Sequence, residues 1–314
     1  MTPPAGGQAP AGYSGAALPR HRALPRLGPA IDRASGLLMT APALLILLGL
    51  MAYPVAYAAW LSFSEWQLTG SRWISLANYR RLMGDRLFWQ ALRNTLFYAA
   101  WNLGAGTALS LSLALLMNRR TVVARALRVA VFLPEVLAVS VSALAWIWML
   151  DPDYGLVNRA MLAARLIDAP VPWLSSVVYA RWGIVLVNIW LGTGLSAILL
   201  LAALQNVPAE VLEAAAIDGA GAWRRFRHVT LPALRPVLLL VVMLKLIGSF
   251  KTFDQVFIMT GGGPLHRSDT LLTYLYQQGF ERFDFGYASA VGMVFLLVVS
   301  ALSAVQALLM RERA

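Results

Sequence analysis

An all-α, polytopic membrane protein with six transmembrane helices is the fold class the sequence predicts, on three observations. Of 314 residues, 59% are hydrophobic and only 13% charged, with a mean hydropathy of +0.64, where a soluble domain carries roughly 25% charged residues. Apolar runs near the ~20 residues needed to cross a bilayer recur at about 36–63, 95–117, 129–150, 182–204, 233–256 and 286–309. The links between these runs are short and carry most of the arginine.

Composition also excludes several functions. The formal net charge of +11 and a pI near 10.5 invite a nucleic-acid reading. The arginines are scattered through inter-span links and not gathered on one domain, so nucleic acid is not the partner; the bilayer is. With no cysteine there are no disulfides, thiolate metal sites or cysteine nucleophile.

In chain order, residues 1–35 are rich in Pro, Gly and Ala and carry Arg20, Arg22, Arg26 and Arg33, which reads as a flexible cytoplasmic tail. The membrane domain is expected over 36–310. Ala56-Tyr57-Ala58 imitates a signal-peptidase site, but the preceding apolar stretch exceeds the ~7–15 residues of a signal core, so the first run is read as an uncleaved span. Six spans place both termini on one side. The 118–128 link holds Arg119, Arg120, Arg125 and Arg128, the next link on that side holds Arg224, Arg225, Arg227 and Arg235, and Arg311 and Arg313 follow the last span. This positive-inside bias makes that side cytoplasmic. Opposite it, Trp66, Trp73, Tyr79, Phe88 and Trp89 mark interfacial segments between the first two spans.

The 205–232 loop is a polar island. Pro208 suits the start of a helix, Glu210 sits near its positive end, Ala214 to Ala216 sustain it, and Gly219 can end it in a left-handed cap. Trp223 and Phe226 then share a face among arginines. From these properties alone, an ordinary cytoplasmic loop lying against lipid headgroups is the better reading, ahead of a functional one.

Two spans carry polar faces. In the fifth, Lys245, Ser249 and Thr252 follow i, i+4 and i+7, with Gly248 beside them. A lysine at that depth costs at least ~2.5 kcal/mol on insertion scales, so it must face protein or water. Either it pairs with a carboxylate, Glu135 or one from another subunit, or it lines a polar path. In the fourth span, Asn188, Gly192 and Leu195 repeat the spacing, and helix packing is the competing reading.

The order of residues in the loop adds a resemblance. Glu213-Ala214-Ala215, then Asp218-Gly219, then Leu231-Pro232 resembles the EAA loop of the permease subunits of ABC importers. Trp146 to Asn158, with Asp151-Pro152-Asp153-Tyr154-Gly155, resembles the W…DPxYGxxN segment of the carbohydrate-type members. Thr260-Gly261-Gly262-Gly263-Pro264 followed by Asp269-Thr270-Leu271 resembles their TGGGP turn, and Gly286 to Ala290 opens the last span as in that family. The likeness covers about 37–309 and is nearest to the maltose- and glycerol-3-phosphate-type permeases. It implies the ABC type I importer fold, with Glu213, Ala214, Ala215, Asp218, Gly219, Leu231 and Pro232 in the loop that couples to the ATPase. It also implies that Asn188, Gly192, Leu195, Lys245, Gly248, Ser249 and Thr252 line the substrate path. Lys245 departs from the small polar residue of the maltose type, which leaves open an acidic or phosphorylated substrate or a simple ion pair. The implied partners are a second homologous permease, two ATP-binding cassette subunits that bind ATP-Mg, and an extracytoplasmic binding protein, in the cell's inner membrane.

No chemistry of its own is expected. There is no G-x-x-x-x-G-K-[ST] phosphate loop, and His21, His228 and His266 give no metal spacing, so no cofactor, metal or catalytic residue is assigned. Two alternatives stay open at this point. One is an ion-coupled secondary carrier using Lys245 and Glu135 as a relay; the other is an ABC permease for an amino acid or osmolyte.

Overall fold

The computed structural model describes residues 39–67, 70–119 and 121–311; the predicted tail at 1–35, Arg120 and Arg313 lie outside them. In chain order these residues form α1 (Met39–Leu61), a hairpin of β1 (Ser64–Gln67) and β2 (Gly70–Trp73), α2 (Ala77–Gly84), α3 (Arg86–Met117), α4 (Val122–Val136), α5 (Val139–Met149), α6 (Leu156–Ala163), α7 (Ala180–Gln205), α8 (Ala209–Ile217), α9 (Ala222–Phe250), α10 (Asp254–Met259), α11 (Leu271–Tyr276) and α12 (Phe285–Arg311). Helices α1, α3, α7, α9 and α12 are each long and apolar enough to cross a membrane, and the bent pair α4–α5 makes a sixth span if taken as one.

The chain divides at Pro54 into two compact units. The described part of the first, residues 39–54, is the opening of α1, with apolar side chains such as Leu45 and Leu50 exposed. The second unit is organised around α7. A span hydrophobic all round must be enclosed by protein or lipid; 56% of the α7 window is buried, against 28% for α3 and 17% for α12, so α7 is the central post. Near its start, Ile184, Val185 and Val187 pack with Tyr98, Trp146 and Val256. Near its end, Ala197, Leu200 and Leu204 pack with Ala114, Met117, Leu234 and Val241.

The third expected span, 129–150, is not one rod. Helices α4 and α5 meet at 111°, with Leu137 and Ala138 extended between them. Pro134 removes one backbone donor from the last turn of α4, but the break carries no glycine or proline of its own, so hydropathy reads straight through it. Bent backbone at this depth is tolerated where it is buried or lines a cavity. The fifth span is also shifted from 233–256: α9 starts at Ala222 and ends at Phe250. Leu231-Pro232 therefore lies inside this helix and not in the preceding loop. The helix runs through it by widening at Phe226–Thr230, where the Leu231 N–H bonds to the Phe226 carbonyl five residues back. That extra residue in the turn lies just ahead of Pro232, which has no N–H to give the helix ladder.

The family-like motifs outside the loop have structural work to do. Asp151 Oδ1 accepts the N–H groups of Asp153 and Tyr154 at 2.9 and 3.1 Å, and a Cβ on Gly155 would lie 2.3 Å from the Asp151 carbonyl, so only glycine fits. Buried Asn158 closes that loop through Val171 and the Trp173 indole. In the glycine turn, Gly262 has φ +86° and packs on buried Asp269, which accepts from Thr273 and Gln277 and bonds His266. At the same end, Asp85 caps α3 through the Leu87 N–H at 2.9 Å and accepts the hydroxyls of Tyr274 and Tyr287, tying α3 to α11 and α12.

Candidate functional site

Residues from α3, α4, α5, α7, α9 and the segment after α9 converge on a cavity of about 230 Å³. Six of the seven residues singled out for a substrate path line it: Asn188, Gly192, Leu195, Lys245, Gly248 and Thr252. The seventh, Ser249, is buried behind it, donating to the Lys245 carbonyl and accepting from Asn102 Nδ2 at 3.0 Å. Thr252 gets there by a different route from the one its spacing implies. Helix α9 ends at Phe250, and Thr252 follows in the turn, where its hydroxyl accepts from Asn188 Nδ2 at 3.4 Å.

Lys245 is 4% exposed, and its ammonium donates to the Gly192 carbonyl at 2.8 Å. A Cβ built on Gly106 would lie 2.8 Å from Asn102 Oδ1 and 3.2 Å from that nitrogen, so the glycine leaves room for both polar groups. Glu135 lines the same cavity, yet the two form no ion pair within 4.0 Å among the described residues. The Glu135 alternative for Lys245 is therefore not what the structure contains.

Sequence reasoning missed Asn102, Gly106, Glu135 as a lining residue, and Gln255. Asn102 begins a widened turn, Asn102–Gly106, inside α3. Such turns put a side chain where a regular helix would not. The signal was present, because Asn102 is the one amide in the apolar 95–117 run and is followed by Gly104 and Gly106. Asn102 and Asn188 each keep a buried side-chain oxygen without a hydrogen-bond partner among the described residues. An unmade bond of this kind costs about 1–3 kcal/mol, which a ligand hydroxyl donating to it recovers. The cavity is open on one flank, where Leu195 and Leu244 are both 42% exposed.

Beyond the far end of α7 from Arg181 lies α8, which buries none of its residues. Glu213, Ala214, Asp218 and Pro232 are exposed and Ala215 and Leu231 half-buried. Gly219, at φ +78°, ends α8 with its N–H on Ala216 and the Ala220 N–H on Ala215, the paired bonds of a glycine-terminated helix. Asp218 directly follows Ile217 as the cap residue at the end of that helix, and Gly221 stands before the next one.

Residues 106–313 match the family described as "Binding-protein-dependent transport system inner membrane component". The chain belongs to that family. It is thus a multi-pass inner-membrane component of a transport system, and the hydrolysis of ATP falls to a separate subunit. The chain is 32% identical over 285 residues to the sulfoquinovosyl glycerol transport system permease protein SmoG of Agrobacterium fabrum, covering 90% of this chain and 92% of that one. It is 34% identical over 270 residues to the trehalose/maltose transport system permease protein MalF of Thermococcus litoralis, covering 84% and 90%. A solved bacterial ABC transporter involved in the import of the acidic polysaccharide alginate shares the fold, with a TM-score of 0.78 at 23% identity over 91% of this chain and 98% of that one. Membership sets aside the ion-coupled carrier.

Proposed function

We propose that this chain is one of two permease subunits of an ATP-driven carbohydrate importer. Its relatives are permeases for sulfoquinovosyl glycerol and for trehalose and maltose, which supports a carbohydrate as the cargo. Unpaired amide oxygens on Asn102 and Asn188 suit a polyhydroxylated ligand. The substrate path runs through Asn188, Gly192, Leu195, Lys245, Gly248 and Thr252, with Ser249 supporting Lys245 from behind. A second, homologous permease covers the open flank at Leu195 and Leu244, and a binding protein delivers the sugar at the Arg181 end of α7.

The observation that carries the coupling role is α8, a short helix ended by Gly219 that stands clear of the bundle with Val211 48% and Ile217 87% exposed. Glu213, Ala214 and Ala215 of this helix, with Asp218 and Gly219 at its end and Leu231-Pro232 leading onward, dock on one of two ATP-binding cassette subunits. Both termini are then cytoplasmic. ATP-driven closure of the ATPase pair moves α8 and reorients the spans, provided α8 makes different contacts in the two states. Glu213→Arg places a cation in the docking face and should abolish binding-protein-stimulated ATP hydrolysis in the purified complex. Retained stimulation would sink the coupling assignment.

A further inference from the structure

Four arginines, Arg86 and Arg93 of α3, Arg181 of α7 and Arg267 after the glycine turn, line one concavity of about 550 Å³, together with the amides of Gln90 and Asn94. No carboxylate lines it, and none of the four forms an ion pair within 4.0 Å among the described residues. The neighbouring acids are committed elsewhere: Asp85 to Tyr274, Tyr287 and the α3 terminus, and Asp269 to His266, Thr273 and Gln277. The Arg181 guanidinium lies 5.0 Å from the Phe97 ring centre, and its Nε is buried without a partner among the described residues. Like charges held together in one hollow repel unless an anion joins them, and planar guanidinium groups pair with carboxylate, phosphate or sulfonate through two donors at once.

The position of this hollow indicates whose anion it is. Arg181 and Asn188 lie seven residues apart on α7 and so share a face, roughly 10 Å apart along the axis. Helix α3 likewise contributes Asn94 to the hollow and Asn102 to the Lys245 cavity. The hollow lies at the end of α7 opposite α8. We propose that it is an anion-binding site that takes the acidic group of the transported carbohydrate before the sugar reaches Lys245. This rests on the carbohydrate-importer reading above and adds to it that the cargo is anionic.

Because the chain has no cysteine, Met83→Cys puts one reporter thiol at the rim, where Met83 is 69% exposed. The intact complex, in phosphatidylcholine nanodiscs, is treated with an anionic sulfonatoethyl and a cationic trimethylammonium methanethiosulfonate. The anionic reagent should react faster, and the ratio of rates should fall several-fold on adding Arg93→Gln or Arg181→Gln. Galacturonate or glucose 6-phosphate should slow labelling while glucose does not. An unbiased rate ratio, or equal protection by all three sugars, would overturn the site. Protection seen only with phosphatidylglycerol in the nanodisc would give the hollow to lipid headgroups, and protection only by the docked binding protein would give it to that protein; either overturns the substrate assignment. ATP hydrolysis stimulated by the binding protein, measured on the same preparation, reports separately whether the importer reading holds.

Discussion

The Lys245 ammonium donates to the Gly192 carbonyl at 2.8 Å and leaves the Glu135 carboxylate, on the wall of the same cavity, outside ion-pair distance. A buried cation held by a neutral carbonyl keeps its charge available to a ligand, whereas a cation paired to a carboxylate does not. Gly106, where a Cβ would lie 3.2 Å from the ammonium nitrogen, makes room for it.

Lys245→Met should therefore alter transport more than folding. The Gly192 carbonyl still accepts the Ser196 hydroxyl at 3.0 Å, so it is not stranded. Loss of a charge-assisted hydrogen bond should raise the half-saturating concentration of an acidic sugar roughly tenfold or more. Concentration-dependent uptake by the complex checks this, and an unchanged profile with a lowered melting temperature would point to a structural lysine. Combined with Glu135→Gln, the effects on stability should add within ~0.5 kcal/mol, since no pair is broken.

Gly194 is where α4 approaches α7. A Cβ there would lie 2.7 Å from the Val131 carbonyl, a backbone atom that cannot swing aside. Gly194→Ala should destabilise the permease by about 1–3 kcal/mol, while Gly104→Ala, where nothing lies within 4 Å, should be tolerated. Thermal unfolding of the two variants in one detergent compares them directly.

Gly219→Ala tests the end of α8. At φ +78° an added side chain strains the cap by roughly 1 kcal/mol, without touching any neighbour within 4 Å. Global stability should barely change, because α8 buries nothing, but stimulated ATP hydrolysis should fall. Equal loss of both would place Gly219 in the core scaffold and not in the coupling helix.

Asp85 gives a pH dependence of known sign. Burial pushes its carboxyl up, but the hydroxyls of Tyr274 and Tyr287 and the N–H groups of Leu87 and Phe88 outweigh this and hold it below the usual carboxylate range. A pKa lower in the folded state than in the unfolded state means the stabilisation is complete above the ordinary value near ~3.9 and disappears as pH falls through the folded value. Asp85→Asn should be less stable than the parent at neutral pH, and the gap should close below about pH 4 in acid-unfolding curves.

Much of the membrane architecture was legible because a bilayer imposes a crude, length-based rule on apolar runs. The bend at Leu137-Ala138 was not, since Pro134 is the one breaker beside it and the run stays apolar through the break; in the fold α4 packs mainly on α7 and α5 mainly on α10. Polar residues on α7 were readable by helical spacing, while Thr252 reached the cavity from a turn the spacing did not foresee. Asn102 and Gly106 escaped because a widened turn shifts the face they present. The four arginines of the outer hollow come from three separate parts of the chain, and only the fold assembles them.

The most direct test is uptake of radiolabelled sugar by proteoliposomes that hold this chain, its partner permease and the ATPase, with the binding protein outside and ATP inside. Accumulation should require ATP and the binding protein, and should vanish with Glu213→Arg although the complex remains assembled. Accumulation driven by an ion gradient with the ATPase left out would contradict the importer reading.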